Sequence, residues 1–470
     1  MAPEKIELDP AGADAVQAIC DYVSTPLFRS ARIEELVIDD NPYRRPVRPE
    51  DLDWLRFEEP VEVASAARLS ALLAHRMLLN IYDSERCLLP EQMTDEKWQD
   101  HEEFYSPATR ARGERIRPLL EDHTFAFARR AAAEDLDDCA ASHGSIMALL
   151  ERVAERTERQ ADELVRIESG SCDPGRICRT LTIQLIGQRV AAPLHLTAPF
   201  VEECLKPNGV PFQSFAAGMT VGHSVRLDTV IAELAEQHGL GWQPHKYFQF
   251  YLPTTLSLMN YLSECRRRPT ESFRFVGALA ARTLSAEALV GRRTSLCGER
   301  QPARETPSGE APERIMAWLR EQVVETIGQR FGSRSLREFT RGVLEYTALQ
   351  DAHHVDLTSQ LRWVDSAKEY QEKALRLQTA ITDYQLEVEL DTFVETWEEC
   401  STAHVHDDDR LVVVESGEME FWNCFGEIHK FGPGDAMFVP KHRLHGSVVR
   451  SGTCVYHQPV ITSDINRQYG

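Results

Sequence analysis

The sequence predicts an α+β chain of several domains, with an all-helical middle followed by a small antiparallel β-barrel. Three observations lead there. At 470 residues the chain is long enough for roughly two to four domains. From about residue 126 to 385, apolar residues recur three and four apart, the spacing of one helix face. From about 386 onward the pattern changes to short β-branched and aromatic runs parted by Gly and Pro turns, the texture of antiparallel strands.

Residues 1–125 are mixed, with helical segments broken at NPYRRPVRPEDL (41–52) and YSPATRARG (105–113). Within 126–385, SIMALLERVAERTERQADELVRI (145–167) sets charges between its apolar positions. RICRTLTIQLIGQRVA (176–191), LDTVIAELAEQHGL (227–240), YLPTTLSLMNYLSECRR (251–267) and AKEYQEKALRLQTAITDYQLEV (367–388) follow. Several of these are apolar nearly all round, as the inner helices of a bundle are. RRTSLCGERQPARETPSGEAPE (292–313), rich in Pro, Gly, Arg and Glu, reads as an exposed insertion between two helices. In 386–470 the predicted strands are LEVELDTFV, RLVVVES, EMEFWNC, EIHKF, AMFVP, SVVRS and CVYHQPVI.

A formal charge of −22 argues against a nucleic-acid surface, because phosphate binding needs a basic face. No apolar run approaches the ~20 residues that span a bilayer, and MAPEKIELDP lacks the apolar region of a secretory signal. Eleven cysteines are scattered without a CxxC pair. That pattern suits reduced, mostly buried thiols in a cytoplasmic protein.

The stretch TAHVHDDDRLVVVESG (402–417) carries histidines two apart. Side chains alternate along a strand, so His404 and His406 are expected to point to the same face. This spacing resembles the first motif of the cupin family, in which a glutamate follows the second histidine by four residues. Here Gly417 ends the next strand as the motif requires, but Arg410 stands at the glutamate position. The second motif reads GDAMFVPKHRLHG (434–446), with Gly434 turning into a strand, Pro440 ending it and His445 supplying a third imidazole. Three neutral imidazoles leave other coordination positions open, and imidazole alone suits Zn, Cu, Fe or Ni. Arg410 has no accessible lone pair to offer a metal, but it is able to pair with a carboxylate in a bidentate manner. Arg410, Arg443 and Tyr456 are the polar candidates for orienting a substrate. His442 is read as a turn residue, and Asp407, Asp408 and Asp409 as a solvated turn.

Beyond the cupin segments TAHVHDDD and KHRLHG, three stretches are idiosyncratic: NPYRRPVRPEDL (41–52), FYSPATRARGERIRPLLE (104–121) and RFVGALAA (274–281). Through them nearly the whole chain resembles the N-nitrosourea-forming iron enzymes of the streptozotocin type. The resemblance implies three parts: an N-terminal dimerising domain (1–125), a central heme-oxygenase-like helical bundle (126–385) and an iron cupin (386–470). In that family the bundle holds two irons and N-hydroxylates the guanidine of N-methyl-arginine. The cupin iron then uses O₂ to rearrange the product, making an N–N bond.

The cupin ligands of the family carry over as His404, His406 and His445, implying one Fe(II) with O₂ as co-substrate. The diiron ligands do not. Ala352 and Ser359 stand at two histidine positions beside a retained Asp356, and Thr283, Leu196, Gly218 and Leu227 fall at others. His223, His353 and His354 lie nearby and are read as core or surface residues. Without carboxylates a buried pair of dications is very costly, so the expectation is a helical domain kept as scaffold, without a diiron site. The substrate would then be a small N-hydroxylated amino acid delivered by a separate N-hydroxylase, and the chain a homodimer. Two other readings stay open: a scaffold or binding protein with vestigial metal sites, and a cupin isomerase or dioxygenase without N–N chemistry.

Overall fold

The computed structural model describes residues 13–25, 28–30, 41–47, 71–188, 223–241, 243–292, 312–397 and 399–470. Its helical part runs α1 (Ala13–Val23), a parallel pair β1 (Phe28–Ser30) and β2 (Arg45–Val47), then α2 (Ala71–Asp83), α3 (Asp95–Phe104), α4 (Pro107–Cys139), α5 (His143–Gly170) and α6 (Pro174–Gly187). It continues with α7 (His223–Gln237), α8 (Pro253–Arg266), α9 (Ser272–Gly291), α10 (Pro312–Trp318), α11 (Glu325–Asp365) and α12 (Ala367–Asp383). Most of the 292–313 insertion, Leu196 and Gly218 lie outside the described residues.

YSPATRARG breaks the helical pattern as expected but only at Tyr105 and Ser106, between α3 and α4; the rest of the stretch begins α4. The Ser106 hydroxyl accepts from the Thr109 amide and Pro107 takes the first turn, so the serine and proline together start a 33-residue helix. That helix passes through residue 125 without a break, and one buried cluster joins Tyr22, Met77 and Ile116 to Leu150, Val276 and Val343. In α5 the buried positions Ile146, Leu150, Val153, Thr157, Ala161, Leu164 and Glu168 keep the expected three-and-four spacing.

The RFVG stretch of α9 has a packing role. A Cβ on Gly277 would come within 1.9 Å of the Phe339 carbonyl oxygen, and one on Gly342 within 1.9 Å of the Arg274 carbonyl oxygen. Glycine at both positions lets α9 and α11 cross backbone to backbone. Arg274, buried at the same crossing, pairs with Glu264 at 3.0 Å and Glu345 at 2.7 Å.

The C-terminal part consists of β3 (Leu390–Thr396), β4 (Cys400–His404), β5 (Asp409–Ser416), β6 (Met419–Cys424), β7 (Glu427–Phe431), β8 (Ala436–Val439), β9 (His445–Val449), β10 (Thr453–Ile461) and α13 (Ser463–Tyr469). Among the described residues these strands form two four-stranded antiparallel sheets, ordered β3-β10-β5-β8 and β4-β9-β6-β7, rather than one closed barrel. Gly417 and Gly434 turn the chain at φ 83° and 89°, where a side chain would be strained. The sheets do not stand apart from the helices. Trp422, Leu444 and Val448 share a buried cluster with Ile177, Leu181, Leu357 and Leu361. Trp363 is buried with Phe421, Met437 and Val449, and Ala374 and Leu377 of α12 pack on Leu411 and Phe438.

Reduced thiols throughout was the expectation from the scattered cysteines. It fails at Cys178, which is disulfide-bonded, because scattered spacing carries no signal for a single pairing. Cys20, Cys87, Cys139, Cys172, Cys265, Cys424 and Cys454 are free. No helix among the described residues is long and apolar enough to cross a membrane.

Candidate metal centre

Strands β4 and β9 run antiparallel with His404 directly opposite His445, and the chain returns His406 to the same place two residues on. The His406 carbonyl accepts the His442 amide at 2.8 Å, tying the two histidine-bearing segments together. All three imidazoles are buried. Their ring centroids lie 4.4 Å (His404–His445), 4.8 Å (His404–His406) and 5.0 Å (His406–His445) apart.

Two of the rings are oriented by backbone. Nδ1 of His404 lies 2.8 Å from the Thr402 carbonyl and Nδ1 of His445 lies 2.9 Å from the Arg443 carbonyl. A carbonyl only accepts, so each Nδ1 carries the proton and each Nε2 keeps its lone pair. One ligand atom from each of the three residues can be chosen so that all lie within 4.8 Å of one another. Nε2 of His404 and Nε2 of His406 are 3.2 Å apart. Two imidazole nitrogens about 2.1 Å from one ion, at about 90–110° to each other, would lie about 3.0–3.4 Å apart. The residues present therefore fit a divalent metal, with Nδ1–H to carbonyl bonds of the kind that orient ligating histidines. Among the described residues this is the one such group of three His, Cys, Asp or Glu side chains.

The three residues expected to orient a substrate each hold a carboxylate of the chain itself. Arg410 Nη1 donates to Asp391 Oδ2 at 2.8 Å. Tyr456 Oη donates to Glu395 Oε1 at 2.9 Å and stacks on Phe393. Arg443 donates from Nη2 to Asp356 Oδ1 at 2.8 Å and from Nη1 to the Asp356 carbonyl at 2.7 Å. His442 takes φ 63°, the turn position expected for it.

Glu395 escaped notice in the sequence, where it is one of several acids on a strand. Burial pushes its carboxyl above the usual range; the Tyr456 hydroxyl and the nearby His404 oppose that shift. Its Oε2 is buried without a hydrogen-bond partner. Asn423 was missed too: its side chain is buried with both amide atoms unpartnered. It lies two residues after Phe421, whose ring stacks 5.6 Å from His445, in the stretch of β6 where the pairing with β7 shifts register.

The candidates from the helical region are occupied differently. Thr283 gives its hydroxyl to the Leu279 carbonyl. Thr254 donates to Asp356 Oδ2 at 2.7 Å. His353 is buried between Gln188 Nε2 at 3.1 Å and Thr254 Oγ1 at 3.4 Å, and burial lowers its pKa to about 3. His354 meets Glu163 at 2.9 Å. Ala352 and Ser359 lie on α11, where the Ser359 hydroxyl donates to the Val355 carbonyl. The side chains of His223 and Leu227 lie outside the described residues.

Comparison with known proteins agrees with this arrangement. Residues 395–456 match the family described as Cupin domain. The chain is also 26% identical over 471 residues, 97% of each chain, to nitrosourea synthase of Streptomyces achromogenes subsp. streptozoticus. The resemblance read from scattered motifs thus runs from end to end.

Proposed function

We propose that the chain is a cytoplasmic non-heme iron enzyme with a single iron, held in the cupin domain, that uses O₂ to oxidise a small N-hydroxylated guanidine or related amino acid and to form an N–N bond. The observation that carries this reading is the buried histidine trio, with two tautomers set by backbone carbonyls, inside a chain similar over 97% of its length to nitrosourea synthase. When bound there, iron would supply a Lewis-acidic, redox-active centre with coordination positions left for substrate and O₂.

The protein's own contribution is orientation and proton placement. His404 and His445 present lone pairs without needing to lose a proton, since Nδ1–H is already committed to a carbonyl. The Tyr456 hydroxyl donates to the half-buried Glu395 carboxyl, whose raised pKa the nearby His404 opposes. The surrounding Trp363, Phe421, Met437 and Val449 exclude water. The helical domain is read as scaffold: Asp356 is held by Thr254 and Arg443, and Thr283 by its own helix. On this reading a separate N-hydroxylase supplies the substrate, and a homodimer forms through the N-terminal region.

Metal analysis and O₂ uptake test the reading together. The expected result is about one iron per chain, with uptake on N-hydroxylated methyl-arginine and none on the unhydroxylated amino acid. Turnover of the unhydroxylated compound with about three irons per chain would show a working diiron domain. Metal binding without O₂ uptake would favour a cupin isomerase, and no bound metal a scaffold protein.

A further inference from the structure

The cupin histidines are not held by the cupin alone. One face of α11 carries Asp356, Gln360 and Trp363, spaced four and three apart, which places them side by side on a helix. All three reach the segment that delivers His445. Gln360 is almost fully buried, and its side-chain amide makes three hydrogen bonds with the two sheet segments. Nε2 donates to the Leu444 carbonyl at 3.0 Å and to the Asn423 carbonyl at 2.9 Å, and Oε1 accepts from the Leu444 amide at 2.9 Å. Leu444 is the residue immediately before His445. Asp356 grips Arg443 through two bonds, and the Arg443 carbonyl is the acceptor that orients the His445 ring at Nδ1. The Trp363 ring stands edge-on to His445, with centroids 6.2 Å apart at 89°.

We propose that Gln360, supported by Asp356, is a positioning residue for the metal centre: a helix of the neighbouring domain fixes where His445 presents its nitrogen. The proposal rests on the metal reading of the histidine trio. A side-chain amide that bonds both the N–H and the C=O of one residue fixes the two peptide units flanking its Cα; here the first contains the Arg443 carbonyl that orients His445 and the second leads into His445 itself. Apolar packing alone would dock the two domains without fixing a peptide plane. The polar face is therefore aimed at ligand geometry, while docking is shared with contacts elsewhere. One of those is the Arg176 Nε to Glu427 Oε2 pair at 2.7 Å, which joins α6 to β7.

The test uses the full-length chain, titrated without O₂ with Co(II) against a chelator, with the visible spectrum of the bound ion as a second readout. Gln360→Met keeps the volume and removes all three bonds. It is expected to weaken Co(II) binding roughly 10–100-fold, the usual range for partners that orient ligands, and to shift the ligand-field bands. Asp356→Asn is expected to move both readouts in the same direction by less. Arg176→Met, which loosens docking away from the ligands, is expected to leave both unchanged. If Gln360→Met does not fold, Gln360→Glu serves in its place, since it keeps the acceptor and loses both donated bonds. Wild-type affinity and spectrum in the folded Gln360 variant would overturn the proposal, as would an equal loss in Arg176→Met. A wild-type chain that binds no Co(II) overturns the metal reading and this proposal with it, whereas normal binding by wild type and variant alike overturns this proposal alone.

Discussion

Arg443 and Asp356, 87 residues apart in sequence, meet through an Nη2–Oδ1 hydrogen bond of 2.8 Å where the sheets rest on α11. Both side chains are largely buried, at 9% and 12% exposure, so removing one leaves the other as a charge in a poor environment. Arg443→Met or Asp356→Leu alone is expected to cost about 3–5 kcal/mol. The double variant should cost clearly less than the sum, because no charge is then stranded. Urea denaturation of the four proteins measures the cycle, and simple additivity would show that the pair is not coupled.

His404 faces His445 across β4 and β9, so both should be needed to retain an ion. Metal added at about a hundred times its dissociation constant stabilises the folded chain by about 2.7 kcal/mol. Thermal unfolding of the wild type is expected to rise on adding Fe(II) without O₂, and to fall back with a chelator. His404→Ala should lose that response and any O₂-dependent turnover. A metal-induced rise that survives in His404→Ala would place the binding elsewhere.

Much of the C-terminal fold was legible in the sequence, since period-two patterns and turn glycines act locally. RLVVVES anticipates β5 (Asp409–Ser416), and Gly417 and Gly434 turn where the motif spacing puts them. The histidine trio was legible for the same reason, as spacing along a strand sets direction. What escaped is long-range pairing. Asp356 was read as a leftover ligand and Arg443 as a substrate contact, and nothing in either neighbourhood signals that they bind each other. Gln360 gave no sign at all, because its partners lie 63 and 84 residues away. The break at YSPATRARG was legible but its extent was overestimated, for the opposite reason: Ser106 and Pro107 suit a loop or a helix start, and only the hydrogen bond to Thr109 decides.

The crossing of α9 and α11 sets a strict size limit. A methyl group on Gly277 or Gly342 would overlap a carbonyl oxygen of the opposite helix at 1.9 Å, and backbone on both sides leaves no flexible side chain to move aside. Gly277→Ala and Gly342→Ala are each expected to destabilise by about 3 kcal/mol or more, beyond the usual cost of overpacking. Ala281→Gly on the same helix, where no crossing demands glycine, should cost only about 1 kcal/mol. Circular dichroism melts compare the three, and a Gly277→Ala chain as stable as wild type would mean that the helices stand further apart.

Acid should weaken the helical domain through imidazoles buried in neutral form. Burial lowers both His75 and His353 to about 3 from an ordinary value of 6.5. His123 adds to the shift at His75 and His354 to that at His353. The unfolded chain takes up a proton at each site near pH 6.5, but the folded chain does so only near 3. Between those values the unfolded state binds more protons, so stability falls as pH drops through that window, by at most about 1.4 kcal/mol per pH unit for each imidazole. Above pH 7 neither group contributes a slope. His353→Gln keeps a polar side chain between Gln188 and Thr254 and removes one titration. Its urea midpoint is therefore expected to depend less steeply on pH between about 6 and 4 than that of the wild type, whatever its stability at pH 8. Parallel slopes in the two proteins would show that His353 takes up its proton in the folded state as readily as in the unfolded one.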